Sequence, residues 1–419
     1  MFLEPRSGVS RPVSSASTLC PPLDEERQPI REEEPEVVKV KSHTKISIRD
    51  RLKHFTWAWY TLTMSTGGLA VLIANQPYTF PGLTTIGIVV YFLNIFFFVV
   101  ISSCLAARFI LHGCLLDSLR HEREGLFFPT MWLSVATIIC GLHKYFAGET
   151  PSQTLSRVEV ALFWAYCACT FIVAVAQYSF VFSEHTYPLQ TMMPSWILPA
   201  FPIMLSGTIA SVIASPHQQP ISQCLAVVIA GLTFQGLGMM ISVLMYAHYI
   251  GRLMQAGLPC REHRPGMFIC VGPPAFTALA LIGMANALPR DTPIFFLVAD
   301  ADDHALVDAA VVLRLLATAS AAFLWALSLW FFSIAAVAVL RAPPKAFHLS
   351  WWAMVFPNTG FTIATITLGN ALGSTPVRAV GSAMSVCVAC MWCFVLVNNF
   401  RAVWNKSIVY PGRDEDSSD

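Results

Sequence analysis

Residues 347–370 read FHLSWWAMVFPNTGFTIATITLGN, an apolar run long enough to cross a bilayer yet interrupted by Pro357 and set with hydroxyls. About 20 such residues span the roughly 30 Å of hydrocarbon as a helix. Proline bends a helix and frees backbone groups, which a membrane tolerates only where protein or water satisfies them. Phe356, Thr359, Gly360, Thr367 and Asn370 share one face at helical spacing. The stretch therefore predicts a bent span with a small, polar face turned inward.

Nine further apolar spans flank it, at about 53–76, 85–112, 130–147, 157–182, 192–214, 222–255, 266–288, 306–341 and 377–404. Those at 222–255 and 306–341 exceed one crossing and must tilt or project. Prolines within spans fall in the odd-numbered ones: Pro194, Pro199 and Pro202 in the fifth, Pro273 and Pro274 in the seventh, Pro357 in the ninth. The first has Gly67-Gly68 instead. Polar stripes recur in the same set, with Thr56, Trp59, Thr63, Thr66, Gly67 and Ala70 in the first. Thr130, Ser134, Thr137, Gly141 and Tyr145 align in the third, and Ser195, Pro199, Pro202, Ser206 and Ala210 in the fifth. Small hydroxyl residues also serve plain helix packing in membranes. Their recurrence alongside segregated prolines favours a solute pathway. The expected fold is an all-α membrane protein, ten transmembrane helices in five hairpins whose kinked members enclose a central pore.

Composition agrees. Of 419 residues 55% are hydrophobic and 12% charged, with a mean hydropathy of +0.59. A soluble domain is typically about 25% charged, so too few charges remain to cover a water-facing globule. A net charge of +1 argues against nucleic acid, which calls for a concentrated basic surface. No Walker A sequence, GxSxG elbow, dinucleotide fingerprint or His-rich cluster appears. An enzyme, a bound cofactor and an ATP-driven pump are therefore not expected. The twelve cysteines lie mostly in apolar runs, where they act as small hydrophobes. Cys387, Cys390 and Cys393 share a helix face but lack a fourth ligand nearby, so no metal site is read there.

Residues 1–47 are rich in Pro, Ser, Glu and Arg (DEERQPIREEEPE at 24–36) and are expected to be a disordered tail. No signal peptide is visible. Residues 48–405 are expected to form the ten-helix transporter domain and 406–419 a second polar tail. With the N-terminus inside, Arg108, Arg120, Arg123, Arg252, Arg261, Arg264, Arg341 and Lys345 lie on the inner side. Only Lys144, Arg157, Arg290 and Arg378 fall outside, beside an acidic loop with Asp291, Asp300, Asp302 and Asp303. That asymmetry follows the positive-inside rule and places both termini in the cytosol. The sequon Asn405-Lys406-Ser407 would then escape glycosylation.

A charge at mid-span costs at least ~2.5–3.5 kcal/mol and marks function by default. Arg314 is the best candidate, for anion attraction, although snorkelling to the interface would also place it there. Arg108 reads as an anchor and Glu159 as structural. His143 and Lys144 close the third span, where they attract anions or mark the interface. Hydroxyl and N–H donors without carboxylates suit an anion better than a cation.

Three stretches carry a resemblance: DRLKHFTWAWYTLTMSTGGLA at 50–70, LFFPTMWLSVATII at 126–139 and FHLSWWAMVFPNTGFTIATITLGNAL at 347–372. They resemble the fungal malic acid (C4-dicarboxylate) transport proteins of the tellurite-resistance/dicarboxylate transporter family, over about residues 48–405. Plant slow anion channels and yeast sulfite exporters are more distant relatives. The resemblance implies five hairpins around a pore, a homotrimer, a plasma-membrane location and an aromatic gate, carried onto Phe356. Fungal malate transporters tend to have His-Pro-x-Glu before the third helix; here His121-Glu122-Arg123-Glu124 keeps His and Glu without the proline.

The expected function is transport of C4-dicarboxylates such as malate, coupled to protons if uptake is concentrative, in a protein surrounded by membrane lipid. Thr63, Thr66, Gly67, Ser134, Thr137, Ser206, Thr277, Thr359 and Thr367 are the expected pore and binding residues, with Phe356 as gate. An exporter or channel for sulfite or another small anion is the alternative on the same scaffold. A receptor or scaffold without transport is a third reading, disfavoured by the span count.

Overall fold

The computed structural model describes residues 47–147, 153–184, 187–214, 219–288 and 303–409, all within one compact unit. The expected N-terminal tail, the acidic 289–302 connection and the C-terminal residues from 410 lie outside the described residues. The described chain is helical throughout, without strands. Ten of its helices have 13 residues or more: α1 (Tyr60–Ala74), α2 (Leu83–His112), α3 (Pro129–Phe146), α4 (Gln153–Glu184), α5 (Phe201–Ile213), α6 (Ile221–Ala256), α7 (Gly272–Ala287), α8 (Asp303–Arg341), α9 (Phe356–Ala371) and α10 (Thr375–Trp404). Eight helical stretches among the described residues are long and apolar enough to cross a membrane. The first and ninth fall short as α-helices, at 15 and 16 residues. Each is entered through a 3-10 segment, Trp57–Trp59 and Leu349–Met354 respectively.

Such entries recur, and the prolines explain them. Pro194–Ala200 leads into α5 and Arg261–Val271 into α7, both as 3-10 helix. Pro129, Pro202, Pro273 and Pro357 then occupy the first turn of α3, α5, α7 and α9. Bends were expected inside the spans; the structure instead sets these prolines where an α-helix starts. A first-turn N–H has no intrahelical partner, so proline loses nothing there.

The five odd-numbered helices close a ring. α1 packs on α3, α3 on α5, α5 on α7, α7 on α9, and α9 on α1. They run parallel. Thr63 meets Ser134 and Tyr145 reaches the Ala70 carbonyl between α1 and α3, while Gly272 lies under Phe201 and Gly283 under Ser211 between α7 and α5. The even helices clothe this ring: α2 on α1, α6 on α5, α8 on α7 and α10 on α9. α4 departs from the hairpin scheme, packing more on α5 than on α3.

Burial follows the two layers. In the most apolar window of the stretches ending in α5 and α7, 78% and 83% of residues are buried, against 22% in α2, α8 and α10. Phe92, Phe96, Phe323 and Leu340 stand exposed on those outer helices. So large an apolar surface requires an apolar solvent. The molecule is a multi-pass membrane protein.

The α2–α3 connection is pinned at the N-terminal end of the ring. Arg108 makes a two-pronged ion pair with Glu124, both side chains buried, with Nη2–Oε2 at 3.1 Å. Ser118 donates to Glu124 at 2.9 Å, and Trp57 Nε1 donates to Ser118 at 2.7 Å. His121 Nδ1 accepts the backbone N–H of Glu124 at 3.2 Å and so caps the short helix Glu124–Phe127. The two residues kept from the His-Pro-x-Glu pattern thus order this turn without proline.

Candidate functional site

Between the five inner helices lies a cavity of about 210 Å³. All five contribute to its wall. α1 supplies Gly68, Val71 and Asn75; α3 supplies Ala136, Thr137, Cys140 and Lys144; α5 supplies Leu205, Thr208, Ser211 and Val212. α7 adds Phe276, Leu279 and Gly283, and α9 adds Phe356, Thr359, Ile363 and Thr367. The α9 residues recur every three or four positions, one face of a regular helix.

Phe356 and Phe276 form the floor, and Phe201, outside the lining, packs against both. Phe356 stacks on Phe276 with centroids 5.1 Å apart, and Phe201 lies 6.0 Å from Phe356 and 5.9 Å from Phe276. Each is at most 5% exposed. Close backbone approach makes room for them. A Cβ at Gly68 would stand 2.7 Å from Thr359 Oγ1 and 3.2 Å from Phe356 Cδ2, and one at Gly360 would stand 2.6 Å from Phe276 Cε2. Offset stacking of this kind adds about 0.5–1.5 kcal/mol per pair to burial. The three rings thus pack together towards the N-terminal ends of α5, α7 and α9.

The polar lining is unevenly equipped. Thr137 and Thr359 donate to the Ser134 and Phe356 carbonyls, Ser211 donates to Thr208, and Asn75 donates to Val71. These groups present mostly lone pairs to the cavity. Thr208 Oγ1 is buried without a hydrogen-bond partner among the described residues. Among the described residues Lys144 is the single charged side chain in the wall, and no carboxylate lines it.

The residues expected to bind solute divide between lumen and seams. Thr137, Thr359, Thr367 and Phe356 line the cavity. Thr63 and Ser134 share a 2.6 Å hydrogen bond at the buried α1–α3 seam, and a Cβ on Gly67 would overlap Thr137 there. Thr66 accepts from Trp392 at 3.1 Å, joining α1 to α10. Thr277 accepts from Gln235 at 2.8 Å, joining α7 to α6. Ser206 is buried with no hydrogen-bond partner among the described residues. Arg314 donates to the carbonyls of Ala285 and Leu288, capping the end of α7. Asn75, Thr208 and Ser211 are wall residues absent from the sequence reading. So is Asn94 of α2, fully buried behind Gly67 with both amide atoms unpartnered among the described residues. A lone Asn in the run YFLNIFFFVV was the available signal.

No group of three or more His, Cys, Asp or Glu among the described residues is placed to hold a metal.

The family model described as a voltage-dependent anion channel (SLAC1) matches residues 54–400. A malic acid transport protein of Schizosaccharomyces pombe is 37% identical over 378 residues, 89% of this chain and 84% of the relative. A putative malic acid transport protein of the same yeast is 33% identical over 89% of this chain and 85% of its own length. A sulfite efflux pump of Trichophyton rubrum is 25% identical over 82% of this chain and 89% of its own.

Proposed function

The chain belongs to the voltage-dependent anion channel (SLAC1) family, and from that premise we propose that it carries C4-dicarboxylates such as malate across the plasma membrane. The ten long helices would then be ten crossings, with the inner ring as the pore and both termini cytosolic. Phe356 would gate it, and the solute would pass Thr137, Thr359 and Thr367. A homotrimer and coupling to protons complete the reading. The observation that carries it is the cavity itself, walled by five parallel helices, with aromatic rings towards one end and no carboxylate among the described wall residues. At about 210 Å³ it is smaller than pockets for drug-sized ligands, about 300–1,000 Å³, which suits one small anion. The malic acid transport relatives favour a dicarboxylate over other anions.

The gate has a simple physical basis. An apolar ring in a narrow lumen excludes water and the hydrated anion with it, and rotation of the ring about its side-chain torsions readmits both. The flux of labelled L-malate into proteoliposomes at pH 5 and pH 7, for wild type and Phe356→Ala, tests the reading. Saturable malate entry, competed by other C4-dicarboxylates and raised by the alanine, is the expected result. Faster entry with an inward proton gradient would establish coupling. Folded protein that passes no malate would overturn it.

Sulfite or another small anion is the second reading, favoured by the similarity to a sulfite efflux pump. The same vesicles with sulfite, nitrate and chloride distinguish it.

A further inference from the structure

We propose that Lys144 is the residue that holds the charged group of the transported anion in the cavity, a carboxylate in the case of a C4-dicarboxylate. The assignment deepens the anion-transport reading and rests on it.

Position is the first argument. Ala136, Cys140 and Lys144 recur at intervals of four along α3 and all face the cavity, so Lys144 lies one turn beyond Cys140 on the lumen side. Phe356 opens α9 and Phe276 lies in the second turn of α7, whereas Lys144 lies in the last turn of α3. Because the inner helices are parallel, the ammonium and the aromatic floor mark opposite ends of one cavity. An anion entering past Lys144 meets the cation before it meets the rings.

Availability is the second. Glu159, the buried carboxylate of the neighbouring helix α4, is taken by His143, with Nδ1 and Oε2 3.1 Å apart. Among the described residues no carboxylate lies within ion-pairing distance of Lys144. The rival cations are engaged: Arg108 with Glu124, and Arg314 with the two carbonyls ending α7.

Chemistry is the third. Thr137, Thr359 and Ser211 have given their hydroxyl protons to backbone carbonyls. An anion needs donors, and a hydroxyl so committed offers only lone pairs. The lysine ammonium carries three N–H donors and no acceptor. Among the described wall residues it is the one group that both neutralises a negative charge and donates to it.

The test uses the full-length chain purified in detergent, with malate, succinate, sulfite and chloride as probes. Affinity is read from the ligand-dependent rise in melting temperature, for wild type, Lys144→Met, Lys144→Gln and Lys144→Arg. The wild type is expected to bind malate. The methionine and glutamine variants should bind it roughly 10- to 100-fold more weakly, the range of a lost charge-assisted hydrogen bond, and arginine should restore most of the affinity. In proteoliposomes the same loss should appear in the half-saturating concentration more than in the maximal rate. Wild type that binds sulfite but not malate, with the same dependence on Lys144, would sustain the assignment and overturn the dicarboxylate reading. Two outcomes overturn the assignment: methionine and glutamine variants that bind as the wild type does, or a wild type that binds none of the four anions.

Discussion

Phe356 on α9 and Phe276 on α7 are stacked, with ring centroids 5.1 Å apart and planes 27° from parallel. In the proposed gate neither ring would close the cavity alone, because each is a wall for the other and Phe201 packs against both. Phe276→Ala should therefore raise malate flux in the same direction as Phe356→Ala. Each stacking contact contributes about 0.5–1.5 kcal/mol, so a rise of roughly 2- to 12-fold is expected from either. The double variant should fall short of the product of the two, since contacting residues couple. Tracer uptake by proteoliposomes measures all three. Closure by Phe356 alone would leave Phe276→Ala at the wild-type rate.

The buried Arg108–Glu124 pair makes a prediction about stability. Removing one partner strands a charge in a dry site, at a cost of about 3–5 kcal/mol. Glu124→Ala should lower the melting temperature of the purified protein and admit protease to residues 113–128. Arg108→Met combined with Glu124→Leu removes both charges and should recover much of the loss. If the single and double variants melt together, the pair contributes little.

His121 predicts a pH dependence in the same turn. Burial lowers its pKa from 6.5, outweighing the opposing pull of Glu124 and Glu122. The neutral ring is also what the capping bond requires, since Nδ1 accepts the Glu124 N–H. A histidine with a lowered folded-state pKa binds fewer protons folded than unfolded. Its stabilising contribution is therefore complete above 6.5 and is lost as the pH falls from 6.5 towards the lowered value. Amide exchange across 121–128 should speed up over that interval. His121→Gln, which cannot be protonated, should flatten the profile.

Element positions were legible in the sequence, and lumen-facing residues less so. Hydropathy located α2 and α10 to within two residues at either end, because an apolar run bounded by polar residues is a direct record of bilayer thickness. Proline segregation separated inner from outer helices. Face assignment worked best on α9, where the α-helix begins at Phe356 and the stripe of Phe356, Thr359 and Thr367 keeps phase. On the fifth span it drifted. A 3-10 residue turns about 120° against 100° in an α-helix, so the seven residues Pro194–Ala200 shift the phase by about 140°. The wall of α5 is accordingly Leu205, Thr208, Ser211 and Val212, on a different face from Ser206. On α1 and α3 the hydroxyl stripes meet each other. Thr63 bonds Ser134, and Gly67 admits Thr137. A single sequence cannot distinguish a hydroxyl facing a neighbour from one facing a lumen, since both patterns have the helical period.

That distinction is measurable. Ser134 is fully buried, bonded to Thr63 and to the Thr130 carbonyl at 3.0 Å. Ser134→Ala deletes one side of a seam contact, which costs about 1 kcal/mol and should lower the melting temperature. The half-saturating malate concentration should not move, because the lost hydroxyl does not line the cavity. Thr359 lines the cavity beside Phe356, and its oxygen is 2.7 Å from where a Gly68 Cβ would stand. Thr359→Val keeps the shape and removes the lone pairs that the Thr359 oxygen, its proton given to the Phe356 carbonyl, would offer to a donor on the solute such as the malate hydroxyl, so affinity should fall by roughly 2- to 12-fold, the worth of one hydrogen bond of about 0.5–1.5 kcal/mol. Melting temperature and uptake kinetics, taken on the same preparations, separate the two roles. A shift in half-saturation for Ser134→Ala with none for Thr359→Val would move the transport path from the cavity to the α1–α3 seam.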